Sequence, residues 1–370
     1  MTVRLPSIKR DRLLKLISET LANPSLSLRD ITILLGHVST ETTVCRWMRC
    51  SYFNLQRVLS QFLQSRHQSI KHYMKRNGKV QIISDQLPPS LCYRLASLIG
   101  KEAATFLWNA NKRFRLDEPV LRELRAIKHS LKTETWEIYI LQMIPQDPHF
   151  TSYGDASFLG GGAYSDELLF WFRIVWSPDI VAGTKLKASN PKYVHINSLE
   201  FLVAFLQEVA KVVRLEGTSH AHPGLAHKFP NGFSHFPVLL NRTDNTPTEK
   251  WMNDAHTNSP FARLLVNLHG QLLKRSSLTA LSDHIPGDDN FAADFISRPN
   301  MKLSHHQLLS QTFCTLPWMR NYDYVQPSPK LCSVLRSCLF SNPKQAPPMI
   351  PANLGHFVPA DSISSSFAMI

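Results

Sequence analysis

The chain of 370 residues contains no run of 18 or more apolar residues, so the sequence predicts no helix that crosses a membrane. Arg4, Lys9 and Arg10 lie near its start, but no apolar stretch of the signal-peptide type follows them. The 6 cysteines are scattered, and none lies in a Cys-x-x-Cys pair or at a spacing typical of a zinc site. Serine-hydrolase and P-loop signatures are absent too. We therefore expect an intracellular protein, in either the cytoplasm or the nucleus.

Negative charge is scarce in the first part of the chain. The net charge is +13, of which residues 1–150 carry +11 and residues 151–370 carry +2. A basic surface attracts phosphate backbones, so this part is a candidate for binding nucleic acid, although a basic face without function gives the same composition. Within the polar stretch 64–79, Lys71, Lys75 and Arg76 are either a flexible strip on a nucleic-acid track or part of a solvated linker.

The spacing of apolar residues predicts that residues 1–148 form a mainly α-helical domain. A helix is expected over 7–22, where it stops before Pro24. A second is expected to begin after Ser27, which is typical of an N-cap, and to end at Gly36. Further helical stretches are expected from about 43 to 63, near 88–110 and over 118–132.

The composition changes after Pro145, where aromatic, β-branched and glycine residues become frequent. Residues 149–176 are predicted to form two or three strands with tight turns, and helices then alternate with strands near 236–241 and 278–283. This order favours an α/β domain with a mixed sheet over residues 149–300. Residues 301–370 are expected to form a C-terminal extension, whose Pro- and Ser-rich end from 341 is predicted to lack a fixed fold.

Four acids in this second domain are candidates for catalysis, although each also has an ordinary structural explanation. Asp155 ends the first predicted strand and could belong to a hairpin turn. Glu200 has capping-box spacing from Asn197 at the start of a helix. Asp244 follows an apolar strand and could form a turn.

The fourth acid, Asp294, lies one turn inside a helix that Asn290 is expected to cap, where an acid also suits the helix dipole. Taken together, the four acids occur on elements that a sheet with helices across it can bring to one end. Two divalent cations need such a cluster of carboxylates, and hard oxygen ligands suit Mg²⁺. Two ions about 4 Å apart can activate a water and stabilise the leaving oxygen of a phosphodiester.

Short phrases around these acids occur in the order found in a known family. They are Asp155-Ala156-Ser157 with Gly160-Gly161-Gly162-Ala163, Ile196-Asn197-x-Leu199-Glu200, Thr243-Asp244-Asn245, and His284-Ile285-Pro286-Gly287-x-x-Asn290-x-x-Ala293-Asp294-x-x-Ser297-Arg298. Over roughly 150 residues the chain thus resembles the RNase H domain of gypsy- and DIRS-type retrotransposon reverse transcriptase polyproteins, and its last phrase is the most specific.

The resemblance implies a ribonuclease H-like fold, two Mg²⁺ or Mn²⁺ ions, and hydrolysis of the RNA strand of RNA–DNA hybrids. Asp155, Glu200, Asp244 and Asp294 take the role of catalytic metal ligands. His284 is a candidate proton carrier near the metals, although a structural histidine at a strand end is the simpler interpretation.

Asn197 and Asn245 are candidate nucleic-acid contacts, as are Lys71, Lys75 and Arg76. The helical segment before this domain resembles the thumb region that follows the polymerase palm in such polyproteins, in Leu5-Pro6, Leu28-Arg29-Asp30 and Leu35-Gly36.

The chain also departs from the family. No Tyr-x-Asp-Asp polymerase signature occurs, and Gly154 stands where the family often has a hydroxyl residue. A missing polymerase portion is therefore one expected partner. Two alternatives stay open beside the nuclease: a catalytically inactive remnant that only binds nucleic acid, and another nuclease or transposase of the same fold that uses three acids and acts on DNA.

Overall fold

A computed structural model describes residues 2–42, 46–59, 113–134, 136–139, 147–216, 238–257, 259, 261–276, 279–340, 357–359 and 368–370. The chain divides into two compact units, Met1–Ile138 and Tyr139–Ile370. The residues after position 300 belong to the same unit as the predicted sheet. Lys71, Lys75 and Arg76 and the stretch 88–110 lie outside the described residues.

The first unit is mainly helical. Its helices are α1 (Ser7–Ala22), α2 (Leu28–Glu41) and α3 (Glu118–Thr133), with a 3₁₀ helix at Arg46–Tyr52. Short strands form two small sheets, β1 (Thr2–Arg4) with β4 (Glu137–Tyr139) and β2 (Ser25–Ser27) with β3 (Arg113–Arg115). The three helices share an apolar core in which Ile17, Val38 and Ile127 are fully buried.

The predicted start of α2 is confirmed, and its predicted end is wrong. The Ser27 hydroxyl accepts the Asp30 N–H, and the Asp30 carboxylate accepts the Ser27 N–H, which completes a capping box. The helix nevertheless continues through Gly36 to Glu41. The reason is that Val38, two residues beyond the glycine, continues the buried face of the helix, and packing outweighs the weak helix preference of glycine.

The second unit is built on a mixed sheet of eight strands. Its strands are β5 (Phe150–Ala156), β6 (Gly160–Ser165), β7 (Phe170–Val175), β8 (Val238–Thr243), β9 (Thr279–His284), β10 (Asp323–Pro327), β11 (Phe357–Pro359) and β12 (Ala368–Met369). They lie in the order β11-β10-β7-β6-β5-β8-β9, and β12 pairs with β7. Strands β5, β6 and β7 form an antiparallel meander, whereas β8 and β9 run parallel to β5.

Helices cover both faces of this sheet. They are α4 (Pro178–Thr184), α5 (Ile196–Glu216), α6 (Thr246–Asp254), α7 (Arg263–Ser276), α8 (Phe291–Ser297), α9 (His305–Thr315) and α10 (Pro329–Phe340), with 3₁₀ helices at Gly287–Asn290 and Pro317–Asn321. The predicted α/β class, a mixed sheet flanked by helices, is therefore present. Among the described residues, no helix has the length and apolar character needed to span a bilayer.

The glycine run in β6 allows helices to approach closely from opposite sides. A Cβ at Gly161 would lie 2.4 Å from a methyl group of Val203 on α5, and one at Gly162 would lie 2.3 Å from a methyl group of Ile296 on α8. Successive residues of a strand face opposite sides of the sheet, so α5 and α8 cover opposite faces. Only glycine leaves room for both helices at this strand.

Two short segments near the end of the chain form strands, although its Pro- and Ser-rich composition predicts no fixed fold there. Residues 357–359 pair antiparallel with β10, and residues 368–369 pair parallel with β7. The Ser177 N–H also donates to the Ile370 carbonyl, at 2.7 Å. Residues 341–356 and 360–367 lie outside the described part.

Candidate metal centre

Two of the predicted acids meet because their strands are parallel neighbours. Asp155 is the penultimate residue of β5, and Asp244 directly follows β8. The register pairs Tyr153 with Arg242, which brings both acids to the same level at the carboxyl edge of the sheet. Parallel strands end at a common edge, and this is where the order of the elements predicts the acids to gather.

Helix α5 brings the third acid to this edge. Glu200 lies near the start of α5, and its Oε2 accepts the backbone N–H of Ala156 on β5, at 3.2 Å. The carboxylate therefore serves the sheet edge and not the start of its own helix. One carboxylate oxygen from each of Asp155, Glu200 and Asp244 lies within 4.8 Å of the other two. We call these three residues the carboxylate cluster.

The electrostatics of the cluster disfavour three bare negative charges. Burial, the largest cause, raises the pKa of Asp155 to about 6, and the charges of Asp244 and Asp294 add to that shift, whereas the Ser297 hydroxyl opposes it. Burial and then the charges of Asp155 and Asp244 raise the pKa of Glu200 well above its usual value. Three adjacent carboxylates therefore either bind protons or require a cation.

The donor set suits a hard divalent cation. Each acid offers oxygen, and no histidine or cysteine within the described residues completes the group. Oxygen ligands with concentrated negative charge are those that Mg²⁺ and Mn²⁺ take in proteins. The cluster thus fits the metal expected from the sequence, in its chemistry and in its compact geometry.

Asp294, the fourth predicted acid, lies outside the group of three. It is on α8, its side chain is 34% exposed, and it pairs with Arg298, the residue that directly follows the helix. Its charge nevertheless raises the pKa of both Asp155 and Glu200. Asp294 therefore lies at the margin of the cluster, near enough to affect it electrostatically.

The two predicted asparagines flank the cluster and contact each other. The Asn245 Nδ2 donates to the Asn197 Oδ1 at 3.2 Å, which links the residue after Asp244 to the start of α5. Asn245 is also the N-cap of α6, since its Oδ1 accepts the Thr248 N–H at 2.9 Å. Both side chains are half-buried, so their polar groups lie at the rim of the site.

His284 ends β9 beside Asp244. Its side chain is exposed, and its Nε2 lies 3.1 Å from the Asp244 carbonyl oxygen, to which it donates. A Cβ at Gly287 would lie 3.4 Å from the Asp244 Oδ2, so the Pro286-Gly287 turn also rests against that acid. With Nε2 donating, the neutral ring keeps Nδ1 as an acceptor.

The predicted helix cap at Asn290 is not formed by its side chain. Asn290 does precede α8, but its Nδ2 donates to the Gly154 carbonyl on β5 at 3.1 Å. Asn290 is buried, so it ties the start of α8 to the strand that carries Asp155. A capping pattern in a sequence cannot reveal this partner, because it lies 136 residues away.

Two further residues at the site carried no predicted role. Ser297 donates a hydrogen bond to Asp155, and the buried Arg173 of β7 donates to the Ile296 carbonyl at 2.7 Å. Ser297 belongs to the Ala-Asp-x-x-Ser-Arg phrase, which was the one available signal. Arg173 lies in an apolar strand and gives no signal in the sequence.

The chain has no match among known proteins in three separate comparisons. No model of a protein family matches it, and neither a curated protein nor a solved structure does.

Proposed function

We propose that this chain is a metal-dependent endonuclease of the ribonuclease H type, which hydrolyses the RNA strand of RNA–DNA hybrids with two Mg²⁺ or Mn²⁺ ions. The observation that carries the proposal is the carboxylate cluster, whose three ligand atoms lie within 4.8 Å of one another at one edge of a mixed sheet. Acids from three remote parts of the chain meet there, although their mutual repulsion and burial oppose it.

The residues around the cluster support the same reaction. Asp155, Glu200 and Asp244 would hold the cations, with Asp294 near enough to join an ion at the margin. Bound cations would lower the pKa of a water nucleophile and stabilise charge on the phosphate. Such chemistry needs an open approach for a polymeric substrate, and Asp244 is only half-buried, unlike its two partners.

The chain's own polar groups have separate tasks in this proposal. Asn197 and Asn245 lie at the rim with side-chain amides that can bond to 2′-hydroxyl groups in the minor groove of a hybrid. His284 holds its ring by donating to the Asp244 carbonyl, which leaves Nδ1 to accept or return a proton at the product. The excess basic charge of residues 1–150 would contact phosphates, which position the substrate.

Cleavage of a labelled hybrid tests the proposal. The wild-type protein should cut the RNA strand in Mg²⁺ or Mn²⁺ and should stop when EDTA is added. Asp244→Asn should abolish cleavage and leave the fold intact, because one ligand of the cations is lost while the shape of the side chain is kept. Asp254→Asn is the matched control, since Asp254 is an exposed acid at the end of α6 and should leave the rate unchanged.

The outcomes separate the proposal from an inactive remnant. Wild-type protein that shows no cleavage in either metal would contradict the nuclease. If that protein still binds the hybrid in a salt-dependent manner, unaffected by metal or by Asp244→Asn, the chain is a binding module.

One observation favours a second candidate, a nuclease or transposase of the same fold that acts on duplex DNA with three acids. The structure brings three acids together and pairs the fourth, Asp294, with Arg298. Duplex DNA belongs in the cleavage assay for this reason. Preferential cutting of the duplex, together with full activity of Asp294→Asn, would select this candidate over the hybrid-specific nuclease.

A further inference from the structure

The hydroxyl of Ser297 on α8 lies beside the Asp155 carboxylate and beside a backbone carbonyl of its own helix. Ser297 is fully buried, and its Oγ lies 2.5 Å from the Asp155 Oδ2 and 2.9 Å from the Asp294 carbonyl oxygen. A hydroxyl has a single proton and two lone pairs. The carboxylate is the nearer acceptor and the charged one, so the hydroxyl donates to Asp155, with the helix carbonyl as a second, longer contact.

The end of α8 is fixed in place by one residue from a strand and one from a turn. The Arg173 Nε donates to the Ile296 carbonyl at 2.7 Å, and the Ser157 Oγ donates to the Ser297 carbonyl at 2.7 Å. Both acceptors are carbonyls in the last turn of the helix, which have no partners within the helix itself. Arg173 is 2% exposed, so this contact is shielded from water.

Close packing adds a third constraint on the same turn. Gly162 on β6 has no side chain, and the Ile296 methyl group fills the space where a Cβ would stand. The backbone of α8 therefore rests directly on the sheet, and Ser297 has little freedom to move away from Asp155. A donor held in this way limits the directions in which the Asp155 carboxylate can turn.

We propose that Ser297 is a positioning residue for Asp155, held by Arg173, and that it orients this carboxylate to ligate the cation. The inference rests on the proposed function, because it assigns Ser297 a task in that same metal site. Partners that hydrogen-bond to a ligating carboxylate fix its orientation, and their loss typically weakens metal affinity or activity about 10- to 100-fold.

The test measures Mn²⁺ affinity of the full chain by titration, with no substrate present. Ser297→Ala should weaken Mn²⁺ binding about tenfold. In the cleavage assay it should lower kcat by a similar factor and leave KM for the hybrid within about twofold, since Ser297 is fully buried and does not face the substrate. Ser282→Ala is the matched control, because the Ser282 hydroxyl is also buried but donates to the Asn241 carbonyl, at 3.1 Å.

A double-mutant cycle separates positioning from general damage to the fold. In an Asp155→Asn background, titrated at Mn²⁺ concentrations high enough to measure the residual binding by Glu200 and Asp244, Ser297→Ala should have no further effect on affinity, because the carboxylate that it orients is already absent. An equal loss in both backgrounds, or a loss no larger than that of Ser282→Ala, would overturn the inference. Arg173→Met should weaken Mn²⁺ binding as much as Ser297→Ala does. If the Arg173→Met protein bound Mn²⁺ as tightly as wild type, the role of Arg173 in holding Ser297 would be contradicted.

The two proposals fail in different ways. If Mn²⁺ binds and depends on Asp244 but no hybrid is cut, the nuclease falls while the Ser297 test still gives its answer. If the hybrid is cut and Ser297→Ala behaves as Ser282→Ala does, the nuclease stands and the positioning role falls.

Discussion

The sheet of the second unit carries two buried groups of charged side chains, and they are balanced in opposite ways. The carboxylate cluster brings together Asp155, Glu200 and Asp244, all of one sign. A second group, which we call the lysine network, lies between α5, α7 and β8 and contains Glu208, Lys211, Asn241 and His269. In it, donors meet acceptors and a positive group lies near a negative one.

The lysine network shows how this fold buries charge when charge has only a structural task. The Lys211 Nζ donates to the Leu240 carbonyl at 2.7 Å and to the Asn241 Oδ1 at 2.9 Å, while the Asn241 Nδ2 donates to Glu208. The second Glu208 oxygen lies 2.7 Å from the His269 Nδ1. Burial lowers the pKa of Lys211 to about 7, and the charge of Glu208 opposes that shift.

The contrast shows what the carboxylate cluster lacks. Beside the hydrogen bonds from Ser297 and from the Ala156 N–H, the described residues bring no buried cation to the three acids. A buried charge is retained at a high cost unless it is paired or coordinates a metal. This fold pairs its buried charges in the lysine network and leaves them unbalanced in the carboxylate cluster, so the cluster is the place where the described residues could hold a cation.

The largest expected effect comes from breaking the balanced group. Lys211→Met should lower the free energy of unfolding by about 3 kcal/mol or more, because it leaves Glu208 buried beside acceptors that have lost their donor. Lys187→Met, at an exposed site, should change stability by less than about 0.5 kcal/mol. Urea denaturation measures both, and a Lys211→Met protein as stable as wild type would show that the network needs no cation.

Adding a cation to the carboxylate cluster should stabilise the protein by a similar amount. Mg²⁺ at 100 times its dissociation constant is expected to raise the free energy of unfolding by about 2.7 kcal/mol, since it binds only the folded state. Thermal melts with and without Mg²⁺ provide the measurement, with Asp244→Asn as the variant that should lose the gain. An equal gain in Asp244→Asn would place the bound ion elsewhere.

The next effect is a pH-dependent increase in the free energy of unfolding when Asp155 is replaced by a neutral residue. The folded-state pKa of Asp155 is raised to about 6, so its ionisation costs stability as the pH rises through that value. Without divalent ions, Asp155→Asn should match wild type near pH 4 and exceed it by about 2 kcal/mol at pH 8. Denaturation curves at several pH values provide the measurement. If Asp155→Asn were already more stable than wild type by the full amount at pH 4, or less stable at pH 8, ionisation of Asp155 would not be what lowers the stability of the wild-type protein.

The smallest effect is expected at the margin of the cluster. Asp294→Asn should change the metal-free stability by less than about 1 kcal/mol, because its pair with Arg298 is partly solvated. It should also weaken Mn²⁺ binding less than Asp244→Asn does. If Asp294→Asn abolished Mn²⁺ binding, Asp294 would be a full member of the metal site in solution.

The sequence predicts the cluster better than it predicts the residues that support it. Asp155 and Asp244 can be found because each ends an apolar strand, and parallel strands end together. Ser297 and Asn290 cannot be found in this way, since their partners lie 142 and 136 residues away and depend on how α8 packs. Gly36 misled the prediction for α2, because glycine marks a helix end only where no buried residue such as Val38 follows.

The most direct test of the central claim is Mn²⁺ binding followed by electron paramagnetic resonance on the intact chain. We predict that wild-type protein binds Mn²⁺, that Mg²⁺ competes for the same site, and that Asp244→Asn loses this binding while the exposed-acid control Asp254→Asn keeps it. Equal Mn²⁺ binding by wild type and Asp244→Asn, or no binding by either, would contradict the assignment of Asp155, Glu200 and Asp244 as a cation site.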